Sequence, residues 1–228
     1  MFKSLGSLEK RIISAIIIAP VFLYCIIAGD WPLTLWLAIS FIISTQEWFN
    51  LSKKTVFFMP CMVLGVIYMA LSYSSFYILR DMYSVNVLLV FIGMIWASDI
   101  GAYFTGKTIG GPKLIKEISP NKTWSGFGGA LLFPALLGMT WYMMFGFHTE
   151  FDERSLYTNL LVLAVLGVVT GASGQAGDLL VSFVKRQAGV KDTGNLIPGH
   201  GGLLDRIDSM LLGAPVFFLA MVILSYVL

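Results

Sequence analysis

Between Gly177 and Ser209 the chain reads GDLLVSFVKRQAGVKDTGNLIPGHGGLLDRIDS, a polar segment in a protein of 228 residues that is 57% hydrophobic and 12% charged. Asp178, Ser182 and Lys185 fall at i, i+4 and i+7, so a helix would carry them as one polar stripe. Backward, that stripe continues through Gly174, Gly171 and Gly167, small residues that admit a second helix at close range and turn the acid toward other helices rather than lipid. Beyond the Gly and Pro punctuation of 194–202, Asp205, Asp208 and Ser209 recur at i, i+3 and i+4 on the first turn of another helix. Two acidic clusters on two helices, joined by a basic Gly-rich loop, can hold a divalent cation and polyanionic phosphates together.

A second polar block, WASDIGAYFTGKTIGGPKLIKEISPNKTWSGFGG, runs from Trp96 to Gly129. Asp99 and Tyr103 share a helical face one turn apart, and a carboxylate so near the end of an apolar run needs a partner. Lys107, Lys113, Lys116 and Lys122 follow in a segment broken by Gly106, Gly110, Gly111 and Pro112. Ammonium groups and open backbone amides are therefore available to phosphate. Ser119 and Pro120 are expected as N-cap and first residue of the next helix, aiming its positive dipole end at the same anions.

The elements that position these blocks belong to a membrane protein. Mean hydropathy is +0.81 and aromatic content 14%, and no soluble domain of useful size fits between the apolar runs. The expected fold is all-α, a polytopic helix bundle forming a single transmembrane domain over residues 1–228. Residues 1–97 are mainly scaffold, and 98–228 hold both blocks. Seven spans are expected, near 11–29, 31–46, 56–79, 85–100, 124–147, 156–184 and 203–228. With the N-terminus cytoplasmic, thirteen Lys and Arg lie inside, leaving only Arg80 and Arg154 outside. The first run is read as a retained span, since no small-x-small cleavage site follows it. Cys25 and Cys61 are read as core filler and Glu47 as an interfacial residue at headgroup level. The outer loop with Glu150, Asp152 and Glu153 is read as solvated surface.

Thirteen spaced residues of the C-terminal block carry a resemblance: Ser182, Lys185, Arg186, Lys191, Asp192, Pro198, Gly199, His200, Gly201, Gly202, Asp205, Arg206 and Asp208. The pattern resembles the signature of the phosphatidate cytidylyltransferases, also called CDP-diacylglycerol synthases. The block from Ser98 to Gly129 resembles that family's SPKKTWEG region, with Asn121 in place of a lysine and Ser125 in place of a glutamate. The two blocks cover about a quarter of the chain, which is shorter than is usual for bacterial members.

The resemblance implies transfer of a cytidylyl group from CTP to phosphatidic acid, giving CDP-diacylglycerol and pyrophosphate. It implies Mg²⁺ held by Asp178 and Asp205 with Asp208, with a second cation admitted. In that scheme Lys185, Arg186, Lys191, Asp192, His200 and Arg206 form the catalytic group. Asp99, Ser119, Lys122, Thr123, Ser182, Gly199, Gly201 and Gly202 bind substrate. His200 either orients a phosphate, moves a proton or closes the turn by a hydrogen bond. Asp205 as a metal ligand implies an Asn variant that folds normally and is inactive.

The partners implied are CTP, phosphatidic acid and the lipid bilayer, with a homodimer by resemblance and no nucleic acid. The expected location is a bacterial cytoplasmic (inner) membrane with the site facing the cytoplasm. A CTP-dependent polyprenol or phytol kinase and, in another class, a membrane transporter are the alternatives. The DGxxAR helix motif of CDP-alcohol phosphotransferases is absent, and no inverted repeat favours a transporter.

Overall fold

Apolar runs of about twenty residues satisfy their backbone in lipid by forming helices, and helices dominate here. Residues 7–146, 155–197 and 201–227 are described by the computed structural model. The helices are α1 (Ser7–Ala28), α2 (Asp30–Ser52), α3 (Phe58–Ile78), α4 (Val85–Thr108), α5 (Trp124–Phe145), α6 (Leu156–Gln187) and α7 (Leu204–Val227). A π-helical turn, Leu79–Tyr83, prolongs α3. An antiparallel hairpin of β1 (Lys113–Ile115) and β2 (Ser119–Thr123) joins α4 to α5, pairing Lys113 with Thr123 and Ile115 with Ser119.

Of the seven expected spans, five helices among the described residues are long and apolar enough to cross a membrane: α3 with its extension, α4, α5, α6 and α7. Helix α2 has the length, but Asp30, Gln46, Glu47 and Asn50 lower its apolarity. In α1 the described apolar stretch is Ile16–Ala28. The outer-loop acids Glu150, Asp152 and Glu153 lie outside the described residues. Both cysteines are free, Cys25 buried and Cys61 half-buried.

Helix α4 runs through the middle of the bundle. Phe91, Ile92, Met94 and Ile95 on it are at most 2% exposed, and the Phe91 ring meets Phe76 at 5.4 Å and Phe217 at 5.2 Å between centroids. Lipid offers helices little hydrophobic reason to associate, so close backbone packing carries much of the association. A Cβ on Gly101 would lie 2.6 Å from the Gly129 carbonyl, and one on Gly171 would lie 2.1 Å from the Ala130 carbonyl. The glycine stripe of α6 thus seats that helix on α5. At Gly177 the same device seats α6 on α7, where a Cβ would lie 2.6 Å from the Asp208 carbonyl.

One expectation about local structure is corrected. Ser119 and Pro120 do not start α5. They lie in β2, where proline's missing N–H is tolerated at a two-stranded edge. The N-cap is Thr123, whose Oγ1 accepts the Gly126 amide at 3.1 Å. Hairpin pairing outcompeted the local capping signal.

Candidate active site

The C-terminal end of α4, the hairpin, the start of α5 and the C-terminal half of α6 enclose a cavity of about 410 Å³. Its polar lining comes from both sequence blocks, with Asp99, Tyr103, Lys107, Asn121, Lys122, Thr123 and Asp178, and from Gln175 just before the second. Strand β2 aims Lys122 inward, where its ammonium lies 2.6 Å from Asp178 Oδ2 and donates to Gln175 Oε1 at 2.8 Å. Gln175 Nε2 then donates to Asp99 Oδ1 at 3.3 Å, supplying the partner that this carboxylate needs. Asp178 Oδ1 also accepts the Ser182 hydroxyl at 3.1 Å, one turn along the predicted stripe.

Asp208 adds a third carboxylate, close enough to Asp178 and Asp99 for the charges to repel one another. Three carboxylates against the Lys122 and Lys107 ammonium groups leave a surplus of negative charge, a donor set whose chemistry fits a hard divalent cation. Among the described residues no three His, Cys, Asp or Glu side chains close on one point. Such a set suits Mg²⁺, which takes one or two carboxylates and completes its shell with water and substrate phosphate oxygens.

Asp205 is engaged differently from its expected place as a metal ligand. Its Oδ1 accepts the Lys185 ammonium at 2.8 Å, and the two side chains are 5% and 9% exposed. Oδ2 accepts the Thr193 amide at 2.8 Å, the Thr193 hydroxyl at 3.1 Å and the Gly202 amide at 3.0 Å. Both oxygens are committed to holding the α6–α7 loop and the end of α6. Lys185, expected on phosphate, is the buried partner in this pair.

The loop itself is tightly tailored. Gly201 has φ 87°, and a Cβ there would meet Asp205 Oδ2 at 2.7 Å, so glycine is required on both counts. Ile197 and Gly201 pair across it. Pro198, Gly199 and His200 lie outside the described residues. Lys191 and Asp192 stand exposed on the loop. Arg186 braces it, donating to the Val190 and Ile118 carbonyls at 3.2 Å each, so this cation links the α6 end to the hairpin.

Arg206 faces a second cavity of about 330 Å³, where it is the charged residue among a lining dominated by apolar side chains such as Phe22, Trp36, Ile207 and Met210. The fold therefore gathers Asp99, Lys122, Thr123 and Asp178 at the first cavity with Asp208 close by. Ser182, Lys185 and Asp205 lie in the supporting structure, and Ser119 on the hairpin. Ser125, where the family pattern has glutamate, hydrogen-bonds the Gly110 carbonyl and lies 3.0 Å from the Thr123 hydroxyl, tying the hairpin to α5.

Three participants escaped the sequence reading. Gln175 sits three residues before Asp178 on the same stripe, and an amide in an apolar helix was the available signal. Thr193 gave none. Glu47, read as an interfacial residue, is 7% exposed and has protein partners, accepting the amides of Leu203 and Leu204 at 2.9 Å each and the Thr193 hydroxyl at 3.0 Å. The first amides of α7 lack helical acceptors, and a carboxylate from α2 supplies them.

Comparison with known proteins gives matches along most of this chain. The model of the cytidylyltransferase family matches residues 52–224. A phosphatidate cytidylyltransferase of Rickettsia bellii (strain RML369-C) is 31% identical over 220 residues, covering 95% of this chain and 91% of the relative. That of Rickettsia felis (strain ATCC VR-1525 / URRWXCal2) is 32% identical over 221 residues, covering 95% and 93%. That of Haemophilus influenzae (strain ATCC 51907 / DSM 11121 / KW20 / Rd) is 36% identical over 192 residues, covering 82% and 64%.

Proposed function

The chain belongs to the cytidylyltransferase family, and on that premise we propose that it transfers the cytidylyl group of CTP to phosphatidic acid, leaving CDP-diacylglycerol in the membrane and releasing pyrophosphate. The single observation that carries this reading is the polar cavity in which Asp99 and Lys122 from one motif block meet Asp178 from the other. The relatives' shared name gives no support to a lipid kinase or a transporter.

The nucleophile is a phosphate monoester, already ionised near neutral pH, so the site needs no strong base. Its task is to bring two polyanions together in line and to offset the charge that builds on the leaving pyrophosphate. Lys122 and Lys107 present ammonium groups to the cavity, and they bind phosphate oxygens. The lysine of the Lys122–Asp178 pair exchanges part of its contact with carboxylate for phosphate when the nucleotide enters. One or two of the carboxylates Asp178, Asp208 and Asp99 would hold Mg²⁺, which would supply Lewis-acid stabilisation of phosphoryl oxygens. A second cation remains part of the proposal.

The Lys185–Asp205 pair and Arg186 keep the α6–α7 loop in place, with Lys191, beside Asp192 at its surface, available to the entering phosphates. The apolar cavity beside Arg206 suits an amphiphile, with acyl carbon against Phe22, Trp36 and Met210 and the anionic head at the guanidinium. The proposal extends to seven spans, a cytoplasmic N-terminus and a site at the cytoplasmic face of a bacterial inner membrane, supported by the thirteen-to-two asymmetry of Lys and Arg. A homodimer belongs to it on family resemblance alone.

The test is an assay of the purified protein with CTP labelled in the base, phosphatidic acid and Mg²⁺. Label entering the lipid in step with pyrophosphate release is the expected result. Transfer of the γ-phosphate alone, with the label left in CDP, would establish the kinase instead. Full activity in excess EDTA would remove the metal from the scheme.

A further inference from the structure

Glu47 lies on α2, before residue 52 where the family match begins, yet its carboxylate reaches the segment joining α6 to α7. One oxygen accepts the Leu203 amide and the other accepts the Leu204 amide, 2.9 Å each, at the positive end of α7. The second oxygen also lies 3.0 Å from the Thr193 hydroxyl, which is 3.1 Å from Asp205 Oδ2. The single hydroxyl proton of Thr193 can serve either acid, and the Thr193 amide serves Asp205 at the same time. A buried chain of hydrogen bonds thus runs Glu47, Thr193, Asp205, Lys185 across α2, the loop, α7 and α6.

The neighbouring glycines are cut to fit this carboxylate. A Cβ on Gly202 would lie 2.5 Å from Glu47 Oε2, and one on Gly194 would lie 3.0 Å from Oε1. A glutamate needed only for solubility or topology would not require its neighbours to lack side chains.

We propose that Glu47 is a positioning residue for the transfer reaction: it acts through Thr193 and the start of α7 to hold residues 188–197 and 201–203, with Lys191 and Asp192, at the site. This inference rests on the reading of that segment as part of the active site. Glu47 does not touch substrate. Its charge balances the α7 N-terminus, and its two oxygens set where the loop returns.

The test uses the full chain in detergent micelles and Glu47→Gln, which keeps the volume but replaces one acceptor with a donor facing a backbone N–H. Hydrogen bonds to charged groups contribute enough that kcat should fall about tenfold or more. The KM for CTP should change much less, and trypsin should cut after Lys191 correspondingly faster in the absence of substrate. Thr193→Ser retains the hydroxyl and should stay near wild type, whereas Thr193→Val should lose activity. The Glu47→Gln, Thr193→Val double variant should be little worse than the poorer single one.

Wild-type kcat in Glu47→Gln, or unchanged protection at Lys191, overturns the proposal. So does a loss confined to the yield of folded protein. If Glu47→Gln fails to fold, Thr193→Val decides by the same two readouts. Absence of cytidylyl transfer in the wild type would defeat the reaction assigned above, while protection at Lys191 would still decide whether Glu47 holds the loop.

Discussion

Replacing Asp205 by Asn separates two accounts of the motif. On the sequence pattern alone this residue is a metal ligand at the start of a helix, and its Asn variant should fold like wild type and be inactive. In the structure, Asn keeps an oxygen for the Thr193 and Gly202 amides but turns an NH₂ group toward the Lys185 ammonium, 2.8 Å away in the wild type. With the side chains 9% and 5% exposed, the lysine has little water to fall back on. Removing one partner of a buried pair costs about 3–5 kcal/mol, roughly two to three and a half orders of magnitude in the folding equilibrium.

The variant should therefore unfold at a clearly lower temperature in detergent, as well as losing turnover. The assay is a thermal melt followed by gel filtration, run beside the double variant Asp205→Asn, Lys185→Met, which removes the stranded charge. The double variant should recover much of the stability while staying inactive. An Asp205→Asn protein as stable as wild type would refute the ion-pair argument and return Asp205 to the metal.

Lys122→Ala should cut incorporation of CTP label into lipid by about a hundredfold or more, the usual order for losing a transition-state charge contact, while Lys53→Ala leaves it near wild type. Gly171→Ala drives a Cβ to 2.1 Å from the Ala130 carbonyl and should lower stability by about 1–3 kcal/mol. Gly128→Ala, with nothing within 4 Å, should be neutral or stabilising by thermal melt. In a variant lacking Cys25 and Cys61, a cysteine at Asn195 should react with an impermeant thiol reagent only from the cytoplasmic side and one at Glu150 only from outside. The opposite pattern would invert the topology.

Composition and spacing were enough to establish a helical membrane protein and to group the polar residues of α6 and of the first turns of α7 along their helices. The stripe Asp178, Ser182, Lys185 and the glycines preceding it are legible because helical neighbours are three or four residues apart, and the fold only confirms their face. The family pattern was legible for the same reason, since each block is contiguous. Which polar group meets which was not. Glu47 and Thr193 are 146 positions apart, Lys122 and Gln175 are 53 apart, and local periodicity says nothing about such pairs. Ser119 followed by proline read as a helix cap until the partner strand took it. Asp205 and Asp208, three residues apart on one helix turn, looked equivalent as ligands. Tertiary packing separated them by turning one toward Lys185 and the loop amides and leaving the other among carboxylates, because a side chain's role depends on the charges and donors that other elements bring to it.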